Sequence, residues 1–221
     1  MTLYRRFFTI GTALLALGLV ARAASAENSA PAIAAFRTAF ASVNDYTYQL
    51  HSHEILGTQV QDRVYQYSFM KPHFAKTLIT SGDGAGSGGV WAGGNQVSGH
   101  QGGILSGIHL KVNLHDGRAT SIRGYTIPDG LMQNVVETYA NVPGRLTELA
   151  GVLDGHSISE LVLDVADPAS DRGITKQVLY LSNETHWPIR QLLYVGSTIV
   201  LDQTFSDIHT NVGLTQSDFP F

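Results

Sequence analysis

Two stretches of two-residue alternation, one close behind the other, constrain the fold of this chain more than any other feature. Tyr46, Tyr48 and Leu50 alternate with Thr47, Gln49 and His51, and Tyr65, Tyr67 and Phe69 alternate with Val64, Gln66 and Ser68. Successive side chains of a strand point to opposite faces, so each stretch puts its large apolar residues on one side of a sheet. Gly57 between them and Lys71-Pro72 after them mark the turns of neighbouring antiparallel strands. Phe74 to Thr80 reads as a third strand. The chain has no cysteine, so this sheet must be held by packing and hydrogen bonds alone.

Helical spacing flanks the strands. Ile33, Phe36, Phe40 and Val43 share one helical face, with Ser29 and Pro31 as the expected N-cap and first-turn pair. Leu131, Val135 and Tyr139 repeat that spacing after Pro128, and Leu146, Leu149 and Leu153 suggest a further short helix beyond Pro143. Residues 82–103 hold 10 of the 23 glycines, yet Val90-Trp91 and Gln96-Val97 recur between them. That pattern predicts short strands joined by tight turns, not a disordered linker. Ile108 to Leu114 is a further expected strand. Ser157 to Val165, Gln177 to Leu181, Ile189 to Tyr194 and Thr198 to Phe205 complete the set, with Gly196-Ser197 as a hairpin turn. The order implies an antiparallel α+β domain with its helices on one face of a curved sheet.

The amino terminus predicts export. Arg5 and Arg6 precede an uncharged apolar run from Phe7 to Ala21, and Ala24-Ser25-Ala26 supplies the small residues a signal peptidase reads. Residues 1–26 are therefore expected to be a signal peptide, cleaved before Glu27, with 27–221 as one domain in the periplasm. A membrane anchor is the competing reading, but the run falls short of the roughly 20 apolar residues a bilayer requires, and Arg22 follows it directly. Loss of Arg5, Arg6 and Arg22 makes the formal charge of −4 three units more negative. An acidic exported chain has no electrostatic basis for binding nucleic acid. With 43% hydrophobic and only 14% charged residues, some apolar surface is expected to face a ligand or partner.

Catalytic and metal-binding patterns are weak. His51 and His53 share a strand face and could hold a divalent ion with a third ligand from His73, His100, His109 or His115, but no spacing requires it. Gly84-Ala85-Gly86-Ser87-Gly88-Gly89 matches a dinucleotide-binding glycine pattern, yet Val90-Trp91 begins a strand where a helix N-terminus would be needed. Asp164 with Asp167, or Asp171 with Glu184, would be paired carboxylates only if strand ends and turns converged. There is no Gly-x-Ser-x-Gly elbow. The reading is a non-enzymatic protein without cofactor or metal.

Several motifs carry a resemblance. They are Phe69-Met70-Lys71-Pro72, Gly82-Asp83-Gly84, Gly88-Gly89-Val90-Trp91, Gly102-Gly103-Ile104-Leu105 and Asn183-Glu184-Thr185-His186-Trp187-Pro188-Ile189-Arg190, followed by Phe205-Ser206-Asp207-Ile208 and Asn211-Val212-Gly213-Leu214 with Asp218-Phe219. In these the chain resembles the bacterial outer-membrane lipoprotein-sorting superfamily, whose best-known member is the periplasmic lipoprotein carrier. The resemblance implies an incompletely closed antiparallel β half-barrel, with an N-terminal helix and lid helices over its concave face. It also implies a carrier that shields a lipid, or the acyl chains of a lipidated protein, between an inner-membrane donor and an outer-membrane acceptor. Tyr46, Tyr48, Tyr65, Tyr67, Phe69 and Trp91, with Leu131, Val135 and Tyr139 from the lid, are the expected lining, and the protein is expected to be a monomer. The alternative is an envelope regulatory or interaction module of the same fold, its interior filled.

Overall fold

The computed structural model describes residues 30–105 and 107–220, so the expected signal segment and Ser29 lie outside the described residues. Eleven strands form one antiparallel sheet in two meanders. The first runs through β1 (Asp45–Leu56), β2 (Gln59–Met70), β3 (Phe74–Gly82), β4 (Gly88–Trp91), β5 (Gln96–His100) and β6 (His109–Asn113). The second comprises β7 (Gly144–Leu153), β8 (His156–Val165), β9 (Lys176–Ser182), β10 (Pro188–Val195) and β11 (Thr198–Thr210). Pairing of β1 with β11 joins the two, which leaves β6 and β7 as unpaired edges of an open half-barrel. Residues 114–143 cross from one edge to the other and carry α2 (Met132–Asn141). No helix among the described residues is long and apolar enough to cross a membrane.

The alternation in the first strands is real packing. Tyr46, Tyr48, Leu50, Tyr67 and Phe69 are buried in one cluster with residues of both helices. The expected first helix is α1 (Pro31–Ala41), with Ile33 and Phe36 buried and Phe40 against the same core. Its N-cap is Ala30, not Ser29, and has no side-chain cap of its own. Instead Ala32 N–H donates to Glu148 Oε2 on β7 at 3.2 Å, placing a carboxylate at the positive end of the helix. At the other end Lys71 Nζ donates to the Phe40 carbonyl at 2.9 Å, so the Lys71-Pro72 motif closes α1.

The expected helix through Leu146, Leu149 and Leu153 does not form. Those residues belong to β7, which pairs with β8 along its whole length through the two-residue turn Asp154-Gly155. Both turn residues have positive φ, 50° and 84°, the conformation that Asp-Gly supplies most readily. Helical leucine spacing lost to ladder hydrogen bonds because Gly144, Gly151 and the Asp-Gly turn weaken a helix there. The other strands form where the sequence places them, including the Gly196-Ser197 hairpin.

Tyrosine hydroxyls fix the start of α2. Met132 N–H donates to Tyr46 Oη at 3.3 Å, Tyr46 Oη donates to Gln133 Oε1 at 2.7 Å, and Tyr48 Oη donates to the Gly130 carbonyl. Burial pushes both hydroxyls well above the ordinary tyrosine pKa, so they stay protonated donors. Gly130 has no room for a side chain, because a Cβ there would collide with Tyr67 Oη. Tyr46→Phe therefore leaves a buried helix-start N–H without its acceptor and is expected to cost about 1–3 kcal/mol. The fall in the urea midpoint measures it; an unchanged midpoint would remove this contact from the account of the fold.

Candidate ligand cavity

Toward one end the concave face is filled by aromatic rings. Phe36 meets Trp187 edge-on at 5.3 Å, and Tyr46 lies 4.9 Å from Phe69 and Tyr48 4.9 Å from Tyr67, centroid to centroid. Farther along the strands this packing stops. A cavity of about 870 Å³ lies between the sheet and the segment 117–130, with Val135 and Thr138 of α2 also on its wall.

The wall changes character along β1. The inward positions run Tyr46, Tyr48, Leu50, Ser52, Glu54, all buried. Register carries the change across the sheet. Leu50 pairs with Tyr65 and Phe205, whereas Ser52 pairs with Arg63 and Gln203, and Gln203 pairs with Gln191. One step further, Glu54 pairs with Gln61 and Leu201, and Leu193 pairs with Leu201 and Gln177. An aromatic floor thus grades through aliphatic residues into a polar band contributed by β9, β10, β11 and β1. On the β3–β5 side the wall combines Ile79, Val97 and glycine backbone with Thr77, Ser87 and His100. Gly89 lets Ile127 approach β4, since a Cβ there would stand 3.1 Å from Ile127 Cδ1.

Of the residues expected to line the interior, Tyr65, Tyr67 and Val135 stand on the cavity wall. Tyr46, Tyr48, Phe69, Leu131 and Tyr139 sit in the packed core behind and beside it. Tyr139 Oη accepts from Gln191 Nε2 at 3.4 Å, which links that core to the wall. Trp91 is half-buried on β4, its Nε1 donating to the Gly94 carbonyl at 2.9 Å. Ser52, Glu54, Gln177, Gln191 and Gln203 were not foreseen, although Ser52 and Glu54 continue the phase of Tyr46, Tyr48 and Leu50.

Glu54 is the deepest acidic group of the wall. Burial raises its carboxyl above the usual range, opposed by hydrogen bonds from Ser121 and the Arg123 N–H and by the charges of Arg63 and Arg123. Arg123 is itself held by the Ile55 and Arg172 carbonyls at 2.9 and 3.1 Å, and Arg172 lies over the Tyr125 ring at 4.4 Å. His51 and His53 sit on the outer face, with His53 Nδ1 2.9 Å and His51 Nε2 3.8 Å from Asp62 Oδ1. Among the described residues no group of three or more His, Asp or Glu could hold a metal ion. Asp164 pairs with Arg145 at 2.7 Å, and Asp167 accepts from Ala169 N–H at 3.2 Å. Asp171 reaches the cavity, where it accepts from Gln177 Nε2 at 2.6 Å.

No protein-family model and no curated protein matches the chain. Solved structures do. An uncharacterised conserved protein from Thermus thermophilus superposes with a TM-score of 0.55 at 9% identity, over 84% of this chain and 91% of that one. MucB superposes at 0.51 with 12% identity, over 87% of this chain and 64% of its own. A putative outer-membrane lipoprotein-sorting protein domain from Vibrio parahaemolyticus gives 0.48 at 13% identity, over 85% and 94%. The chain shares its fold with the Thermus thermophilus protein and with MucB. At these identities the likeness is one of architecture.

Because folding raises the Glu54 pKa, the native state binds that proton more tightly than the unfolded chain. Stability from this group is full below the ordinary carboxylate pKa and declines as pH rises through the raised value. Glu54→Gln is therefore expected to raise the melting temperature at pH 8 more than at pH 4. An equal change at both pH values would mean that burial does not disfavour the carboxylate.

Proposed function

We propose that the protein is a periplasmic, non-enzymatic carrier that holds a lipid, or an acyl chain of a lipid-modified protein, in the cavity between sheet and crossover. The observation that carries this reading is the unfilled space itself. Two helices and a crossover cover the concave face, yet about 870 Å³ stays open, within the roughly 300–1,000 Å³ typical of small-molecule sites. The interaction-module reading needs a filled interior, which this space disfavours. Leu50, Tyr65, Tyr67, Ile79, Val97 and Val135 give an alkyl chain an apolar bed, where each buried methylene contributes about 0.8 kcal/mol before ordering costs. Tyr46, Tyr48, Phe69, Leu131 and Tyr139 support that bed from the core, and Trp91 borders it on β4. Export by the amino-terminal segment would bring the protein to the compartment where exposed acyl chains need shielding. An inner-membrane donor and an outer-membrane acceptor would complete the route.

Native mass spectrometry of protein taken from a bacterial periplasm is expected to show a bound amphiphile at one copy per chain. Ile79→Trp, which projects a larger ring from β3 into the space, should weaken binding of added lipid about tenfold or more while the circular dichroism spectrum stays unchanged. Protein recovered empty that also rejects added lipids would overturn the carrier reading.

A further inference from the structure

Exposed aliphatic side chains gather at one end of the sheet, the end at which the cavity lies. Strands β1, β3, β5 and β10 run toward it, so the β1–β2, β3–β4, β5–β6 and β10–β11 connections all turn there. Gly84, Ala85, Gln101 and Gly102 of two of these turns line the cavity. Among the described residues eleven large hydrophobic side chains are exposed, and seven of them belong to this end. Leu56 and Val60 flank the β1–β2 turn, and Val195 and Ile199 flank the β10–β11 turn. Ile104, Ile108 and Leu110 stand on the β5–β6 connection and the start of β6, with Ile104 fully exposed. Apolar side chains grouped in this way mark an interaction surface.

Charge and continuity say what covers it. In a chain with 18 Asp and Glu, residues 55–61, 84–115 and 191–201 contain none, and the middle segment holds Lys111 with His100, His109 and His115. The β3–β4 turn, which has Asp83, carries none of the exposed aliphatic residues. At the opposite end of the sheet the β7–β8 turn sets Asp154 close to Leu149 and Val152. Acid-free apolar tips suit a phospholipid headgroup layer, where buried apolar area and attraction to anionic lipid both add to binding. The cavity wall leads to the same place. From Tyr65, Ile79 and Val97 it continues through Val112, Leu110 and Ile108 on the unpaired edge strand β6, next to the tip that bears Ile104. An alkyl chain leaving along β6 stays on apolar side chains up to the tip, and beyond the tip only a lipid phase keeps it out of water.

Resting on the carrier reading above, we infer that this end of the half-barrel docks directly on a phospholipid bilayer, with Ile104, Val60 and Val195 entering the boundary between headgroups and acyl chains. The ligand then passes between bilayer and cavity along β6. Uncharged glycine turns that carry separate aliphatic side chains offer a protein partner few directional contacts, whereas a bilayer interface takes up such tips one by one.

Flotation of the full mature chain with vesicles of phosphatidylethanolamine and phosphatidylglycerol reads docking. Calorimetric titration with lauroyl-lysophosphatidylcholine, below its micellisation concentration, reads the cavity. Ile104→Asp and Val60→Asp each put a charge on an exposed tip outside the cavity wall. Each is expected to lower the vesicle-bound fraction about fivefold or more and to leave the lysolipid affinity within twofold. Ile104→Trp should keep vesicle binding and shift its fluorescence to shorter wavelength when vesicles are added, a change absent from the parent chain and one that a misfolded variant would not give. A parent chain that does not float with the vesicles, or Asp variants that float as well as it does, would overturn the docking surface and leave the carrier reading to stand on the lysolipid titration. Vesicle binding that depends on the tips, without any lysolipid binding, would overturn the carrier reading and the path along β6 with it. Sedimentation of the chain alone as a dimer that Ile104→Asp dissociates would assign the tips to a second copy and overturn docking on a bilayer.

Discussion

The hydrogen bonds from Tyr46 and Tyr48 to the start of α2 are the constraint on which the rest of the molecule hangs. The crossover must travel from one unpaired sheet edge to the other, and a chain of that length has many paths over a concave surface. The two hydroxyls select one path by engaging the Gly130 carbonyl, the Met132 N–H and the Gln133 side chain together. Once α2 starts there, its buried face of Val135, Val136 and Tyr139 docks on the aromatic floor, and α1 packs beside it with Arg37 bonded to Glu137 at 2.6 Å. The segment before α2 is then obliged to pass over the polar half of the sheet as a roof.

That arrangement also explains why the interior is half filled. The rings of Phe36, Trp187, Tyr46, Phe69, Tyr48 and Tyr67 supply enough volume to close one end. The inward side chains beyond Leu50 cannot do the same. Gln203 donates to Ser52 and Ser52 to Glu54 in a short row along the sheet, Gln191 donates to Tyr139, and the glycines of β4 and β5 add no side chain to fill the gap. A cavity bounded by polar atoms is stable only when something bonds to them, unlike an apolar void, which can stay empty.

How much of this was legible in the sequence depended on whether a local signal and the tertiary demand agreed. They agreed in β1 and β2, where alternation of Tyr46, Tyr48, Tyr65 and Tyr67 recorded one buried face, and in α2, where Leu131, Val135 and Tyr139 kept helical spacing. They disagreed in β7. Leu146, Leu149 and Leu153 suit a helix face, but pairing with β8 satisfies the backbone groups on that side of the edge strand, and the Asp154-Gly155 turn was the stronger local cue. The cavity failed for a different reason. Apolar periodicity identifies a buried face only while its residues are apolar, so Ser52, Glu54, Gln177, Gln191 and Gln203 looked like solvent-facing positions. Keeping the phase of β1 through Leu50 would have found the first two; the glutamines become visible only through cross-strand register.

The low sequence identity among chains of this architecture follows from the same division of labour. Holding an open half-barrel requires alternation, turns and a fixed crossover, and many side chains meet those demands. The resemblance motifs serve them here: Lys71 closes α1, Trp187 fills the aromatic end, and Val212 N–H and Gly213 N–H donate to Asp45 Oδ1 at 2.7 and 3.2 Å. None of these contacts discriminates among ligands. An apolar bed discriminates poorly as well, because every methylene contributes about the same free energy whichever molecule bears it. Selectivity in a cavity of this kind must come from buried polar atoms, which penalise a ligand that leaves them unpaired far more than they favour one that fits. In this chain the buried polar atoms of the wall begin at Ser52 and Glu54, which continue the inward phase of the aromatic floor.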